Sequence, residues 1–152
     1  MIEVPRAAVE LAKRFEGFHR VPTDDPGRAC PYVCPAGYWT IGWGHLCQAD
    51  HQPVTEAEAE AYIAADLMTA LAATLRYCPV LATKPESRLA AIVDFTFNLG
   101  AGRLQTSTLR RRINQRDWPL AGQELRRWVY GGGRVLDGLR ARRQAEVGLL
   151  FG

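Results

Sequence analysis

The sequence predicts a mainly helical α+β fold, with a small β-hairpin lobe near the N-terminus and a larger helical lobe joined by a long helix. Three observations predict it. Apolar residues recur at helical spacing through most of the stretch from Thr55 to Leu150. The segment from Val21 to Gly44 is instead rich in Pro, Gly, Asp, Tyr, Trp and Thr, the composition of turns and short strands. At 152 residues, 47% of them hydrophobic, the chain is long enough to bury a core without help from metals or disulfides. A single domain over 1–152 is expected, with a hairpin lobe at about 17–54 and a helical lobe at about 76–152 that also takes in the N-terminal helix.

Each element has a local reason. Pro5 suits a first helical turn, and Ala8, Leu11, Ala12 and Phe15 follow at helical spacing, so residues 5–16 read as a helix that Gly17 stops. Tyr38 to Trp43 is the expected strand, in what reads as the only β part of the chain. Thr55 and Glu58 form a capping box, and Ile63, Leu67, Leu71 and Leu75 then line one face of a helix of some six turns ending before Pro79. Leu89, Ile92, Val93, Thr96 and Phe97 continue to the stop at Gly100, in a helix apolar enough to be the central buried one. Thr106 or Ser107 caps a short helix through Ile113. Asp117 with Pro119 starts another carrying Leu125 and Trp128, and Gly138 precedes a last one ending near Leu150.

Composition narrows the function classes. Nineteen basic against sixteen acidic residues give +3 and a pI near 8.8, a mild bias towards polyanions that falls short of a nucleic-acid binder's charge stripe. No run of about 18 uncharged apolar residues spans a bilayer. Glu3 and the Lys13-Arg14 pair come before any apolar run of signal-peptide length, so neither an export signal nor a membrane anchor is expected. Without export, Cys30, Cys34, Cys47 and Cys78 are expected as free thiols. Cys30, Cys34, His45 and Cys47 lack a C-x2-C pair and any finger-like spacing, so no metal and no cofactor is expected.

The chemistry concentrates in Arg14-Phe-Glu-Gly-Phe18 and, after a loop, Cys34-Pro-Ala-Gly-Tyr-Trp-Thr-Ile-Gly-Trp-Gly-His45. A glutamate at a helix end facing an aromatic hairpin is partly shielded from water, which moves a carboxylic acid towards the range of a general acid. Glu16 is that candidate. On residue type alone, a glutamate beside Lys13 and Arg14 also fits a solvated helix face; the surrounding sequence decides against it.

That sequence resembles the phage-type lysozymes, the T4-like endolysins of glycoside hydrolase family 24. Their pattern is a glutamate in an E-G dipeptide, an aspartate or cysteine, five residues, then threonine in a T-I-G-x-G-H hairpin. Glu16-Gly17, Cys34 and Thr40-Ile-Gly-Trp-Gly-His45 match it, with five residues between Cys34 and Thr40. Phe97-Asn-Leu-Gly100, Ser107-Thr-Leu109 with Asn114, Trp128, Gly132-Gly133 and Gly138 to Arg143 with Glu146 follow in the family's order, so the resemblance spans nearly the whole chain.

The resemblance implies a lysozyme-like fold with the active-site cleft between hairpin and helical lobes. It implies a muramidase that hydrolyses the β-1,4 bond between N-acetylmuramic acid and N-acetylglucosamine in bacterial peptidoglycan. Glu16 would protonate the leaving oxygen, Cys34 would assist at the water or the oxocarbenium-like transition state, and Thr40 would hold the water. A thiol of ordinary pKa about 8.5 is mostly neutral at pH 7, so Cys34 serves as a base only where its surroundings favour the thiolate. Asn98, at the end of the buried helix, is the expected contact for substrate amides.

One departure bears on the second residue. Most of the family place eight residues between glutamate and aspartate or cysteine, whereas seventeen lie between Glu16 and Cys34, the surplus falling in His19 to Tyr32. Counting eight from Glu16 reaches Asp25, which has no threonine hairpin after it. The hairpin anchors the register, so Cys34 is preferred and Asp25 is the alternative.

His45 is expected to pair with an acid of the long helix such as Asp66, as a stabilising contact. Arg110 to Arg112 and Arg140, Arg142 and Arg143 read as a solvated face that favours an anionic envelope. The expected partner is peptidoglycan alone, with no nucleic acid and no stable membrane insertion. The resemblance implies a monomer that stays in the host cytoplasm until a holin opens the inner membrane, and then acts in the periplasm and cell wall. Two other classes compete. A non-catalytic peptidoglycan-binding protein of lysozyme shape is disfavoured by intact Glu16 and Thr40; a basic helical nucleic-acid binder is disfavoured by the modest charge and the lack of a binding motif.

Overall fold

A computed structural model of the chain describes residues 1–18, 27–83 and 85–152. Helix α1 (Arg6–Glu16) starts where expected, the Pro5 carbonyl accepting the N–H groups of Ala8 and Val9 at 2.9 and 3.3 Å. Ala8, Leu11 and Ala12 are its buried stripe, and the Gly17 N–H closes the last turn on the Lys13 carbonyl at 2.9 Å. The chain divides into two units, Lys13–Asp66 and Met1–Ala12 with Leu67–Gly152.

The first unit holds the expected hairpin, but with more strands around it. β1 (Arg28–Ala29) pairs with β5 (Val54–Thr55), and β2 (Tyr32–Val33), β3 (Trp39–Ile41) and β4 (His45–Leu46) form an antiparallel sheet in that order. Its register sets Tyr32 opposite Thr40 and Thr40 opposite Leu46, so Thr40 lies on the central strand, 3% exposed. The strand expected over Tyr38 to Trp43 is shorter because Trp43 belongs to the turn after Ile41.

Helix α2 (Glu56–Tyr77) runs through both units. The first half of its capping box forms as read, the Thr55 hydroxyl accepting the Glu58 N–H at 3.2 Å, while the same hydroxyl donates to the Glu58 carboxylate at 3.1 Å. Ile63, Leu67 and Leu71 are buried and Leu75 half-buried.

In the second unit a 3-10 turn (Pro79–Ala82) leads to α3 (Glu86–Leu99), in which every residue from Leu89 to Thr96 is buried. Each large apolar side chain removed from water there contributes roughly 1.5–3 kcal/mol. α3 packs on α7 (Asp137–Phe151), with α4 (Ala101–Gln105), α5 (Thr108–Asn114) and α6 (Trp118–Arg126) completing the layer. Ser107 and Asp117 are the N-caps of α5 and α6, accepting the N–H groups of Arg110 and Leu120 at 3.0 and 3.1 Å. Trp128 falls beyond α6, and Gly138 lies inside α7.

Two readings of this part are corrected. The hairpin lobe is not the only β structure, because β6 (Tyr130–Gly131) and β7 (Arg134–Val135) pair across Gly132-Gly133. Those glycines have φ of 60° and 80°, which a two-residue hairpin turn of this hand requires at both positions. The arginines of α7 are not a solvated face: Arg142 and Arg143 are 3% and 1% exposed, and only Arg140 faces out. Arg142 makes two 2.8 Å bonds to Asp94, which α3 buries completely. Arg143 donates to Glu146 at 2.7 Å and to Asn98 at 2.8 Å. Buried charges persist only when paired in this way. Arg110 is also partly withdrawn, its Nε donating to the Tyr77 carbonyl at 2.9 Å, while Arg111 is exposed.

Candidate active site

Glu16 is the last residue of α1 and is half-buried. The turn Gly42-Trp43-Gly44 between β3 and β4 closes on it. Gly44 has φ of 79°, and a Cβ there would lie 2.7 Å from Glu16 Oε2 and 3.0 Å from its Cδ. A side chain at Gly44 is therefore strained by the backbone conformation and would displace the Glu16 carboxylate. The other flank is as tight, since a Cβ on Gly42 would meet that of Ala59 in α2 at 2.8 Å. Trp43 between them is buried at 8% exposure, with Phe18 at 4.8 Å between ring centroids and Lys13 Nζ 4.8 Å from its ring. Lys13 also donates to Glu60 at 2.6 Å. The T-I-G-x-G-H hairpin is thus shaped by what it fits between, a glutamate at one helix end and an alanine of another helix.

His45 follows this turn. Its Nδ1 is 2.8 Å from Asp66 Oδ2, and its ring stacks on Tyr62 at 4.2 Å with an interplanar angle of 8°. The expected pair with the long helix is present.

Thr40 belongs to the three-stranded sheet, and Cys34 directly follows β2. The Cys34 N–H donates to the Tyr38 carbonyl at 2.9 Å, continuing the β2–β3 ladder, and the Cys34 carbonyl accepts from Gly37 at 2.8 Å to close the turn. Thr40 Oγ1 donates to the Tyr32 carbonyl at 3.3 Å. The half-buried Tyr32 phenol joins these groups electrostatically. Burial raises its pKa, a side-chain hydrogen bond with Thr40 lowers it, and the charges of Glu16, Cys34 and Cys47 raise it again.

All four cysteines are free: Cys30, Cys34 and Cys47 are half-buried and Cys78 is buried. Burial pushes the Cys78 thiol up to about 12 against a smaller pull from Arg110, which removes it from thiolate chemistry at neutral pH. Burial also raises the Cys47 thiol. Among the described residues no group of three or more His, Cys, Asp or Glu is placed to hold a metal ion. Asp25 lies outside the described residues. Asn98, in α3, is half-buried and its side-chain oxygen accepts from Arg143.

Tyr32 is the site residue that motif reading overlooks. It stands opposite Thr40 in the β2–β3 register, a pairing that a linear motif does not carry.

A family model described as phage lysozyme matches residues 13–146. Among curated relatives, the SAR-endolysin of Bacteriophage PS119 is 40% identical over 119 residues, covering 76% of this chain and 70% of that protein. The endolysin of Acyrthosiphon pisum secondary endosymbiont phage 1 is 32% identical over 155 residues and covers 97% of both. Among solved structures, the muramidase domain of SpmX from Asticaccaulis excentricus is 28% identical with a TM-score of 0.81, covering 100% of this chain and 99% of that one. The active form of P1 phage endolysin Lyz, at 23% identity and a TM-score of 0.80, covers 99% of this chain and 85% of its own and speaks to the fold alone. With a match over 134 consecutive positions, from Lys13 to Glu146, the chain belongs to the phage lysozyme family.

Proposed function

We propose that the chain is a phage endolysin, a muramidase that hydrolyses the β-1,4 bond between N-acetylmuramic acid and N-acetylglucosamine and so lyses the host cell. The observation that carries this reading is the half-buried Glu16 carboxylate held against Gly44, in the turn of the hairpin that begins at Thr40.

Glu16 delivers a proton to the glycosidic oxygen as the bond to the anomeric carbon breaks. The Thr40 hydroxyl holds the attacking water, and Cys34 assists by accepting its proton or by stabilising positive charge on the ring. Asp25 is the alternative for that assisting role. Asn98 presents its amide nitrogen to the substrate, its oxygen being engaged by Arg143. Residues 1–152 act as one lysozyme domain, with a hairpin lobe at about 17–54 and a helical lobe at about 76–152. The protein works as a monomer on peptidoglycan and engages no nucleic acid. No helix among the described residues is long and apolar enough to cross a membrane. Holin-dependent passage from the host cytoplasm to the periplasm supplies access to the wall.

The test is Glu16→Gln on outer-membrane-permeabilised Gram-negative cells. Loss of turbidity clearing with an unchanged melting curve is expected; full activity sinks the mechanism. Mass spectrometry of digested peptidoglycan then identifies the reaction, since reducing-end muramic acid marks a hydrolase and a 1,6-anhydro end marks a lytic transglycosylase.

A further inference from the structure

We propose that one face of α5 is a second binding site, separate from Glu16, that holds the phosphate ester of a sugar or sugar alcohol of the bacterial envelope. Neither site depends on the other, and the second gives a role to arginines that the muramidase reading leaves unused.

Between Leu99 and Asp117 the sequence carries five arginines, Arg103, Arg110, Arg111, Arg112 and Arg116, against one acid, Asp117. The rest of the chain carries fourteen bases and fifteen acids, so this stretch holds all of the positive excess. The Asp117 carboxylate is engaged by the Leu120 N–H at the start of α6. Elsewhere, Arg6, Arg127, Arg140, Arg142 and Arg143 each have a carboxylate within 3.7 Å. Among the described residues Arg110, Arg111 and Arg112 have none. They donate instead to the Tyr77 and Gln105 carbonyls, the Thr108 hydroxyl and the Gln115 amide oxygen. α5 and the segment before it form a concavity of about 510 Å³, with Arg110 and Arg111 on its wall beside Gln105, Thr106 and Gln115. None of its lining residues is acidic or aromatic.

The ligand class follows from the donors left over. A guanidinium has five N–H groups. Arg110 gives one to the Tyr77 carbonyl at 2.9 Å and one to the Gln105 carbonyl at 3.1 Å, with its Cζ 4.9 Å from the Tyr77 ring centroid. Three N–H groups stay uncommitted on a side chain already held in place, so little rotamer freedom is lost on binding. Arg111 gives one to Thr108 at 3.1 Å and is otherwise exposed. Neighbours on a helix project about 100° apart, so the two forks reach the concavity from different directions. A tetrahedral phosphate presents oxygens to both, whereas a planar carboxylate is matched by one fork. The remaining space suits a polyol, whose hydroxyls pair with the carboxamides of Gln105 and Gln115. Nucleic acid is disfavoured, because the concavity offers no aromatic surface for bases and the charge forms no extended track.

The test is an amide NMR titration of the full chain with a hexose monophosphate, inorganic phosphate, acetate, glucose and a short DNA duplex. The hexose phosphate should shift the amides of residues 105–115 saturably, with a Kd on the order of 1 mM, and inorganic phosphate should do so more weakly. Acetate and glucose should leave them unmoved. Arg111→Gln should weaken the hexose phosphate at least about tenfold at an unchanged melting temperature, and Arg110→Lys, which keeps the charge but loses the fork, should weaken it too. Acetate binding equal to phosphate, DNA preferred over the hexose phosphate, or an Arg111→Gln variant that binds like wild type overturns the proposal. Co-sedimentation separates the sources: lipopolysaccharide vesicles carry a lipid-anchored phosphate and isolated teichoic acid a wall-anchored one. Whichever retains wild type and releases Arg111→Gln is the ligand; retention by neither overturns the site. Hydrolysis of peptidoglycan stripped of phosphate polymers should be equal for wild type and Arg111→Gln, and a loss there overturns the separation of the two sites. If Glu16→Gln stays active, the muramidase reading fails while the binding result stands.

Discussion

The carboxylate of Glu16 lies directly against the backbone of Gly44, where an added Cβ would stand 2.7 Å from Oε2. Gly37, in the turn between β2 and β3, has a similar positive φ of 90° but nothing within 4 Å of such a Cβ. The two glycines separate backbone strain from contact with the acid. Alanine at either position incurs a left-handed cost of about 1–2 kcal/mol. Only Gly44→Ala also displaces Glu16, so it should lose at least about tenfold in turbidity clearing, while Gly37→Ala keeps activity at a similar stability cost. Urea unfolding and a clearing assay on the pair check this, and an active Gly44→Ala removes any functional meaning from the contact.

The identity of the second catalytic group is decided by single substitutions. The ladder bond from the Cys34 N–H to the Tyr38 carbonyl fixes Cys34 beside the hairpin that carries Thr40. Cys34→Ala is therefore expected to reduce clearing by about tenfold to a hundredfold, and Asp25→Asn to leave it unchanged. The reverse pattern would transfer the role to Asp25 and make the seventeen-residue spacing irrelevant to the register.

The helical unit has a polar centre whose loss should be felt as stability alone. Asp94 is fully buried and holds Arg142 through two 2.8 Å bonds. Asp94→Ala strands a buried guanidinium, which typically costs about 3–5 kcal/mol. Replacing both partners, Asp94→Leu with Arg142→Met, should recover most of that loss, since the two opposite charges leave together. Denaturant midpoints of the two variants test it; a double variant as unstable as the single one would show that shape complementarity, and not stranded charge, sets the penalty.

What sequence reading recovered and missed follows from the range of the signals. Helices were legible because capping and periodicity are local: Ser107, Asp117 and Thr55 all cap where read. The hairpin turn was legible because Gly42 and Gly44 answer to contacts with Ala59 and Glu16 that impose a motif. Strands of two residues such as β6 and β7 leave no alternation to detect, and only the Gly132-Gly133 pair marked them. Arg142 and Arg143 misled because an arginine's burial depends on acids distant in sequence, here Asp94 on α3, and no spacing rule carries that. Tyr32 escapes motif reading for a related reason: it is the register partner of Thr40, eight positions away, across a pairing that loop length alone does not fix.

The last prediction concerns pH. Glu146 is fully buried on α7, facing Arg143 on its own helix with Asp94 of α3 and Arg142 nearby. Burial raises its pKa well above the carboxylate range; Arg143 and Arg142 pull it down, while Asp94 adds to the rise. The folded state thus holds this proton more tightly than the unfolded chain, where a glutamate titrates near about 4.3. Stability from Glu146 is full below that value and declines as pH rises towards the raised folded pKa. Glu146→Gln fixes an uncharged side chain of the same shape. Its melting temperature should match wild type near pH 4 and exceed it increasingly towards pH 8. A variant that instead falls progressively below wild type over that range would mean that the 2.7 Å pair with Arg143 outweighs the cost of burying the charge.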